Sequence, residues 1–303
     1  MTENFTAPQA KINSFRGFRE WSLVICENKN EVSSISASGC ELKPTHLPNA
    51  GATDKNTAMN KTRFWFLSII IFTSLIMNVD AIVAQQQTVV AFGDSNSAPR
   101  KGVVTYSDLL RNEFAKKNLD IKVINSGLPG NTTVNGKERF EKDVLAHKPN
   151  LVIIQFGTND AAVDVWKTPP ATESRVAIGI YEQNLRGFIT ALKSQGAKVI
   201  LVTPPPMRWT EKMKGMYGRP PYNPDDPDGF NVVLKGYVEI VRRVAAKEKV
   251  KLVDLFSEFY KYHKVPGQKM EDLFLDGSHP NSAGHQIEAR LLLKQIRKLN
   301  IGF

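Results

Sequence analysis

Leu151-Val152-Ile153-Ile154-Gln155-Phe156-Gly157-Thr158-Asn159-Asp160 is the stretch on which the fold turns. Its first six residues are nearly continuous hydrophobe, with no polar residue at every second place. A strand that reads this way hides both faces, as strands do in a parallel sheet covered by helices on two sides. The run stops abruptly at glycine and polar turn formers. Working outward, Thr88–Phe92, Ile121–Asn125, Val199–Val202 and Val250–Leu255 are four further short apolar runs. Between them the spacing changes to a helical one. Tyr106, Leu109, Leu110 and Phe114 form one stripe, Phe140 with Val144 another, and Tyr181, Leu185, Phe188, Ile189 and Leu192 a third. Leu234, Tyr237, Val241 and Val244 form a fourth, and Ala283–Leu299 carries Ile287, Leu291 and Leu292 on its face. Five strands alternating with helices predict a flavodoxin-like three-layer α/β/α sandwich on a five-stranded parallel sheet, with an order such as 2-1-3-4-5.

Composition agrees with a globular chain. The 303 residues are 42% hydrophobic, which excludes disorder throughout, a collagen-like repeat and a many-span membrane protein. Two cysteines leave no room for a disulfide scaffold or a cysteine-based metal site, and five histidines form no His-rich tract. The formal charge is +10. The cations sit among acids and apolar residues, as in Arg242, Arg243, Lys247 and Lys249, with no zinc-finger or RNP-type spacing, so no nucleic-acid partner is expected.

The first 84 residues read differently from the rest. Met59-Asn60-Lys61-Thr62-Arg63 precedes an uncharged run of 14 residues, Phe64–Met77, and then Asp80-Ala81-Ile82-Val83-Ala84-Gln85. Two cations, an apolar run and a small residue before a polar stretch are the parts of a secretory signal peptide. A membrane span needs about 20 apolar residues, so retention as an anchor through residues 64–84, with the membrane contact that brings, is the alternative. Residues 1–58 are polar, show no sustained period and hold both cysteines, Cys26 and Cys40. They read as a disordered tail or as an extension upstream of a true start at Met59. Residues 85–303 then form the folded domain, free of cysteine, with 32 Lys and Arg against 23 Asp and Glu, a net +9. A secreted or periplasmic location follows from this reading.

In such sheets ligands bind beyond the carboxyl ends of the strands. Strand one is followed by Gly93-Asp94-Ser95-Asn96-Ser97, and strand two by Asn125-Ser126-Gly127-Leu128-Pro129-Gly130-Asn131-Thr132. Strand three is followed by Gly157-Thr158-Asn159-Asp160, and Asp276-Gly277-Ser278-His279-Pro280-Asn281 precedes the last helix. Each piece alone is an ordinary turn. Together, in this order, the chain resembles the SGNH (GDSL-type) hydrolases, across essentially all of residues 85–303. The resemblance implies that Ser95 is a nucleophile and that Gly130 and Asn159 are oxyanion donors beside the Ser95 N–H. It implies that Asp276 and His279 complete a triad. Asn96 departs from the Leu or Ile often found after the serine.

The chemistry suits those residue types. A serine hydroxyl needs an imidazole to take its proton. An aspartate three residues before the histidine can bend back to fix the ring's tautomer and stabilise the imidazolium. An Asn amide supplies N–H without a charge, and glycine lets the main chain approach a substrate closely. Asp94 and Asp160 read as structural hydrogen-bonding groups, and His147, His263 and His285 as surface or packing residues. Asn131 starts an N-x-[ST] sequon, but beside an oxyanion loop a sugar is not expected there.

One long connection remains, residues 206–230, expected to lack regular structure and to lie over the site. Trp209, Tyr217 and Tyr222 are candidates to stack on a sugar ring, with packing of the loop onto the body as the equal alternative. Arg208 or Arg219 is the candidate for an anionic group. Asp225, Asp226 and Asp228 fail the EF-hand spacing, so no metal is expected, and no cofactor is implied. The expected activity is hydrolysis of short acyl esters, acetyl foremost, on a carbohydrate or similar small ester. The alternatives are a lysophospholipase or thioesterase, whose long-chain channel this loop looks too polar to build, and a non-catalytic carbohydrate-binding protein. Acyl transfer to another sugar in place of water is a further alternative. Translation from Met59 is expected to leave no tryptic peptide from residues 1–58 in mass spectra of the native protein; recovery of one overturns that start.

Overall fold

A computed structural model describes residues 86–302. The readings of residues 1–58 and 59–84 therefore fall outside the described residues. Five strands, β1 (Gln87–Gly93), β2 (Ile121–Gly127), β3 (Leu151–Gln155), β4 (Lys198–Val202) and β5 (Lys251–Val253), form one parallel sheet in the order β2-β1-β3-β4-β5. Among the described residues seven α-helices accompany them: α1 (Tyr106–Lys116), α2 (Thr133–Asp143), α3 (Ile178–Ser194), α4 (Glu211–Tyr217), α5 (Leu234–Lys247), α6 (Leu255–His263) and α7 (Ser282–Lys298). The architecture is the α/β sandwich that the alternation predicted. Among the described residues no helix is long and apolar enough to cross a membrane.

Side chains point to alternate faces along a strand, and the two cores divide accordingly. Val90, Phe92, Val152, Ile154, Val199 and Leu201 pack with Phe140 of α2, Leu185 and Phe188 of α3 and Tyr237 and Val241 of α5. Their neighbours Val89, Ala91, Leu151, Ile153, Ile200 and Val202 pack with Leu110 and Phe114 of α1, Phe259 of α6 and Leu292 and Ile296 of α7. Every residue of β3 is buried, which is why its sequence shows no alternation.

Three expectations are corrected. The fifth strand ends at Val253, because Asp254 caps α6 by accepting the Ser257 N–H at 3.1 Å and Leu255 already belongs to that helix. The stripe on α7 is rotated from the one expected: Gly284, His285, Glu288, Ala289, Leu292 and Ile296 are buried, while Ile287 and Leu291 are only partly covered. The connection 206–230 is not without structure. Thr210 caps α4, accepting the Met213 N–H at 3.3 Å, and Gly229–Asn231 makes a 3-10 turn. A Thr before Glu211 is the sequence signal for that cap, masked by Gly215 and Gly218.

Register brings the strand ends level. Gly93 at the end of β1 pairs with Gly127 on one side and Gln155 on the other, so the turns after β1, β2 and β3 leave the sheet side by side. Crowding there explains one glycine. A Cβ on Gly93 would lie 2.4 Å from Ser97 Oγ and 2.5 Å from the Gln155 carbonyl oxygen. Gly93→Ala is expected to cost about 1–3 kcal/mol of stability through overpacking. Thermal denaturation checks this, and an unchanged midpoint contradicts it.

Candidate active site

The turn after β1 is held from beneath by buried polar groups. Asp94 Oδ1 accepts the Asn96 N–H at 2.8 Å, and Ser97 Oγ donates to Gln155 Oε1 at 2.9 Å while accepting the Tyr106 hydroxyl at 3.0 Å. Asn125 Nδ2 donates to the Ser97 carbonyl at 2.7 Å. Asn96, the departure from the family pattern, is buried and donates its Nδ2–H to Thr158 Oγ1 at 3.0 Å, tying the first turn to the third. Ser95 sits half-buried at the tip.

His279 reaches that tip. Its Nε2 lies 3.0 Å from Ser95 Oγ, and its Nδ1 lies 2.8 and 3.0 Å from the two Asp276 oxygens. An ionised carboxylate can only accept, so Nδ1 carries the proton and Nε2 presents its lone pair to the serine. Asp276 Oδ1 also accepts the backbone N–H groups of Ser278 and His279, at 3.1 and 3.0 Å. Burial pushes the Asp276 carboxyl up, but the hydrogen bond and charge of His279 and those N–H groups outweigh it and hold the group well below the usual carboxylate range. The segment is braced by the residues after β4: the Arg208 N–H donates to the Gly277 carbonyl at 2.6 Å, and Arg208 Nε donates to Glu271 at 2.8 Å. Gly277 has φ +84°, and a Cβ there would meet the Arg208 carbonyl oxygen at 2.4 Å.

Asn159 follows β3. Its Nδ2 donates to the Asn131 carbonyl at 3.1 Å, and its Oδ1 accepts from Arg175 Nη1 at 3.1 Å. Gly130 lies on the turn after β2, next to Asn131, with φ +76° and nothing within 4 Å of where a Cβ would stand. The left-handed backbone, rather than crowding by the protein, is what requires glycine there. Arg139 secures this turn, donating to Asn131 Oδ1 at 2.8 Å, the Ser126 carbonyl at 2.8 Å and the Gly93 carbonyl at 2.9 Å. The sequon asparagine is thus engaged by its side chain.

Ser95, Asn159, Asp276 and His279 line one cavity of about 260 Å³. Its other walls hold Met207, Met213, Met216 and Phe230, a more apolar surface than the sequence of the loop suggested. Tyr217 and Tyr222 line it too, the latter buried, with its hydroxyl accepting the Val163 N–H at 2.8 Å. Trp209 does not line it. Its ring stacks on Phe230 at 4.3 Å and its Nε1–H donates to the Asp226 carbonyl at 3.0 Å, so packing is its place. Gly130 is not among the lining residues either. Arg208 is committed to Glu271, and Arg219 lies outside the lining. The cations that line the cavity are Arg175 and Lys212, which sequence reasoning missed because no motif contains them. Asp228 accepts from Tyr260 and Asn231 and pairs with Lys235, within the fold of its own loop. A larger hollow of about 680 Å³ between α1 and α7 shares no residue with this cavity.

Beneath the turns lie acids that no solvent reaches. Burial pushes the Asp94 carboxyl up to about 7, with Asp160 and Glu288 adding to the effect. Burial likewise lifts Asp160 to about 6, although Thr133 donates to it at 2.8 Å from N–H and 2.5 Å from Oγ1. His285 is buried within 3.6 Å of Glu288.

Comparison with known proteins gives a consistent answer. The profile of the GDSL-like lipase/acylhydrolase family matches residues 91–287. An acetylxylan esterase of Geobacillus stearothermophilus is 31% identical over 181 residues, which are 59% of this chain and 73% of that one. The esterase TesA of Pseudomonas aeruginosa is 29% identical over 58% of this chain and 73% of its own. Among solved structures, a lipase/acylhydrolase from Enterococcus faecalis superposes with a TM-score of 0.55 at 28% identity, covering 72% of this chain and 98% of that one. The acetylxylan esterase Axe2 of Geobacillus stearothermophilus gives 0.56 at 26% identity, covering 69% and 94%. Its solved variants described as catalytic mutants replace a serine, a histidine and an aspartate by alanine.

The Asp94 carboxyl gives a stability prediction. A carboxyl whose folded value is raised holds its proton more tightly in the native state. Its contribution is therefore full below the ordinary value near 4 and is lost as pH rises through about 7. Asp94→Asn removes that loss, so its thermal midpoint relative to wild type is expected to rise between about pH 5 and about pH 8. An offset that stays constant or falls contradicts the burial argument.

Proposed function

The chain belongs to the GDSL-like lipase/acylhydrolase family and is an ester hydrolase, and from that premise we propose that it is an exported serine esterase releasing short acyl groups, acetyl foremost, from O-acylated carbohydrate or a similar small ester. The observation that carries the catalytic part is the line of contacts from Ser95 Oγ through His279 to Asp276, at 3.0 and 2.8 Å. In this reading His279 Nε2 takes the hydroxyl proton as Ser95 Oγ attacks the acyl carbon. Asp276, held ionised, stabilises the imidazolium that results. The carbonyl oxygen becomes an anion received by the Ser95 and Gly130 N–H groups and the Asn159 amide, each donor worth about 2.7–4 kcal/mol in comparable sites. Collapse expels the alcohol, which takes its proton from His279 and leaves an acyl-serine. Water, deprotonated by the same nitrogen, then attacks the acyl carbon and frees the acid and the serine.

The substrate assignment is supported by the acetylxylan esterase relatives and by the charged and aromatic part of the cavity, Lys212 and Tyr217. The signal-peptide pattern of residues 59–84 supports export. A second reading, hydrolysis of longer acyl chains as by a thioesterase or lysophospholipase, draws on the wall of Met207, Met213, Met216 and Phe230. Methionines fill irregular space and adapt to a flexible chain.

One set of assays tests both parts. Ser95→Ala is expected to fold with an unchanged thermal midpoint and to lose on the order of 10⁴-fold or more in kcat. Full activity in that variant ends the proposed chemistry. With nitrophenyl esters, kcat/KM is expected to peak at acetyl to butyryl; preference for about eight carbons or more, the length at which a hydrophobic channel is needed, moves the assignment to the second reading.

A further inference from the structure

Arg175 belongs to no motif, yet it donates to the carbonyl oxygen of the Asn159 side chain. It comes from the segment between β3 and α3, which folds back so that Val163 and Ser174 bridge in antiparallel fashion. Its guanidinium is held as a fork on Asp164: Nε lies 3.0 and 3.1 Å from the two carboxylate oxygens, and Nη2 lies 2.7 Å from Oδ1. Asp164 is 5% exposed and also pairs with Lys167 at 2.8 Å. Burial raises its carboxyl, but the bonds from Arg175 and Lys167 outweigh that and keep it below the ordinary range. The fork is therefore anchored on a fixed anion. Its third nitrogen, Nη1, is left to reach Asn159 at 3.1 Å.

We infer that Arg175 is a positioning residue that sets the rotation and the donor strength of the Asn159 amide. The assumption that this amide receives the oxyanion is the one made in the proposed function. A side-chain amide can flip end for end at little cost unless both ends are specified. Here they are. A guanidinium offers only donors and a main-chain carbonyl only accepts, so Arg175 requires the oxygen on its side and the Asn131 carbonyl requires the nitrogen. The flipped amide would set oxygen against oxygen and N–H against N–H. The observed rotamer spends one N–H on Asn131 and keeps the second for the cavity that Asn159 lines together with Ser95. A cation on the amide oxygen also draws electron density from the nitrogen, which strengthens the remaining N–H as a donor in a chain of hydrogen bonds. Preset donors of this kind act in the transition state and not on the bound ester, so the effect belongs in kcat.

A double-mutant cycle on the full chain separates this role from substrate binding and from general support. Removing an oxyanion donor costs roughly 10²–10³-fold in kcat, so Asn159→Ala is expected in that range. Arg175→Met is expected to lower kcat by about tenfold or more with KM within about twofold of wild type. In the Asn159→Ala background the same change is expected to lower kcat by less than about twofold, because the group it acts through is gone. An equal fold loss in both backgrounds, or a change confined to KM, overturns the inference while leaving the proposed function standing. If Asn159→Ala leaves kcat unchanged, the oxyanion role falls and the inference falls with it. Circular dichroism and thermal midpoints check folding in all four proteins. Should Arg175→Met fail to fold, Arg175→Lys, which keeps the charge but not the fork, takes its place in the cycle under the same criteria.

Discussion

The hydrogen bond between Ser95 Oγ and His279 Nε2 joins residues 184 apart in the chain, and the arrangement of the whole site depends on it. Neither residue has the other within reach through local structure. Two constraints unite them. The parallel register levels the ends of β1, β2 and β3, so that Ser95, Gly130 and Asn159 leave the sheet on one edge. The Asp276–His279 segment is then fixed over that edge from three sides: the Leu275 N–H donates to the His279 carbonyl at 2.9 Å, Phe274 bridges Pro280, and Gly277 receives the Arg208 N–H. Catalytic contacts lose effect over about 1 Å of displacement, which is why the bracing matters as much as the residues it holds.

The layer under the turn that carries Ser95 breaks the usual rule of an apolar interior. Asp94, Asn96, Ser97, Gln155, Asp160 and Glu288 are all buried there, together with Thr133. Such groups cost free energy unless bonded, and most are bonded to another loop rather than to their own. Ser97 joins β3 and α1, Asn96 reaches Thr158, and Asp160 holds the start of α2. Directional bonds of this kind fix geometry in a way that apolar packing, which tolerates small slides, does not. The raised values of Asp94 and Asp160 follow from the same burial.

The cavity walls come from excursions off the sheet: the segment after β3 brings Ala162 and Arg175, and the segment between β4 and α5 brings Met207, Lys212, Met213, Met216, Tyr217, Tyr222 and Phe230. Packing of Trp209 on Phe230 and the paired bonds of Asn231 to the Met207 N–H and carbonyl, at 2.7 and 2.9 Å, set the shape of the second excursion. Ser95 and Asn159 thus stand just beyond strand ends and Asp276 and His279 just before α7, while most of the cavity wall stands on the segment between β4 and α5.

Much of this was legible before any coordinates. Continuous hydrophobe in Leu151–Gln155 and helical spacing between the strands determined an α/β sandwich, because burial on two faces leaves no other pattern. The motifs after the strands and before the last helix, through their resemblance to a known family, named Ser95, Asn159, Asp276 and His279 as candidates, since their chemistry depends on residue type. Where a side chain's job depended on its neighbours in space, only the tertiary structure decided. Trp209 and Tyr222 are the same kind of residue in the same loop, yet Trp209 packs on Phe230 and Tyr222 lines the cavity. Arg175 and Asp164 fall in no motif, and only the folding back of the chain pairs them and sets Arg175 against Asn159. Residue type and local period are written along the chain, but contact between distant segments is a property of the packed sheet and exists only once that sheet has formed.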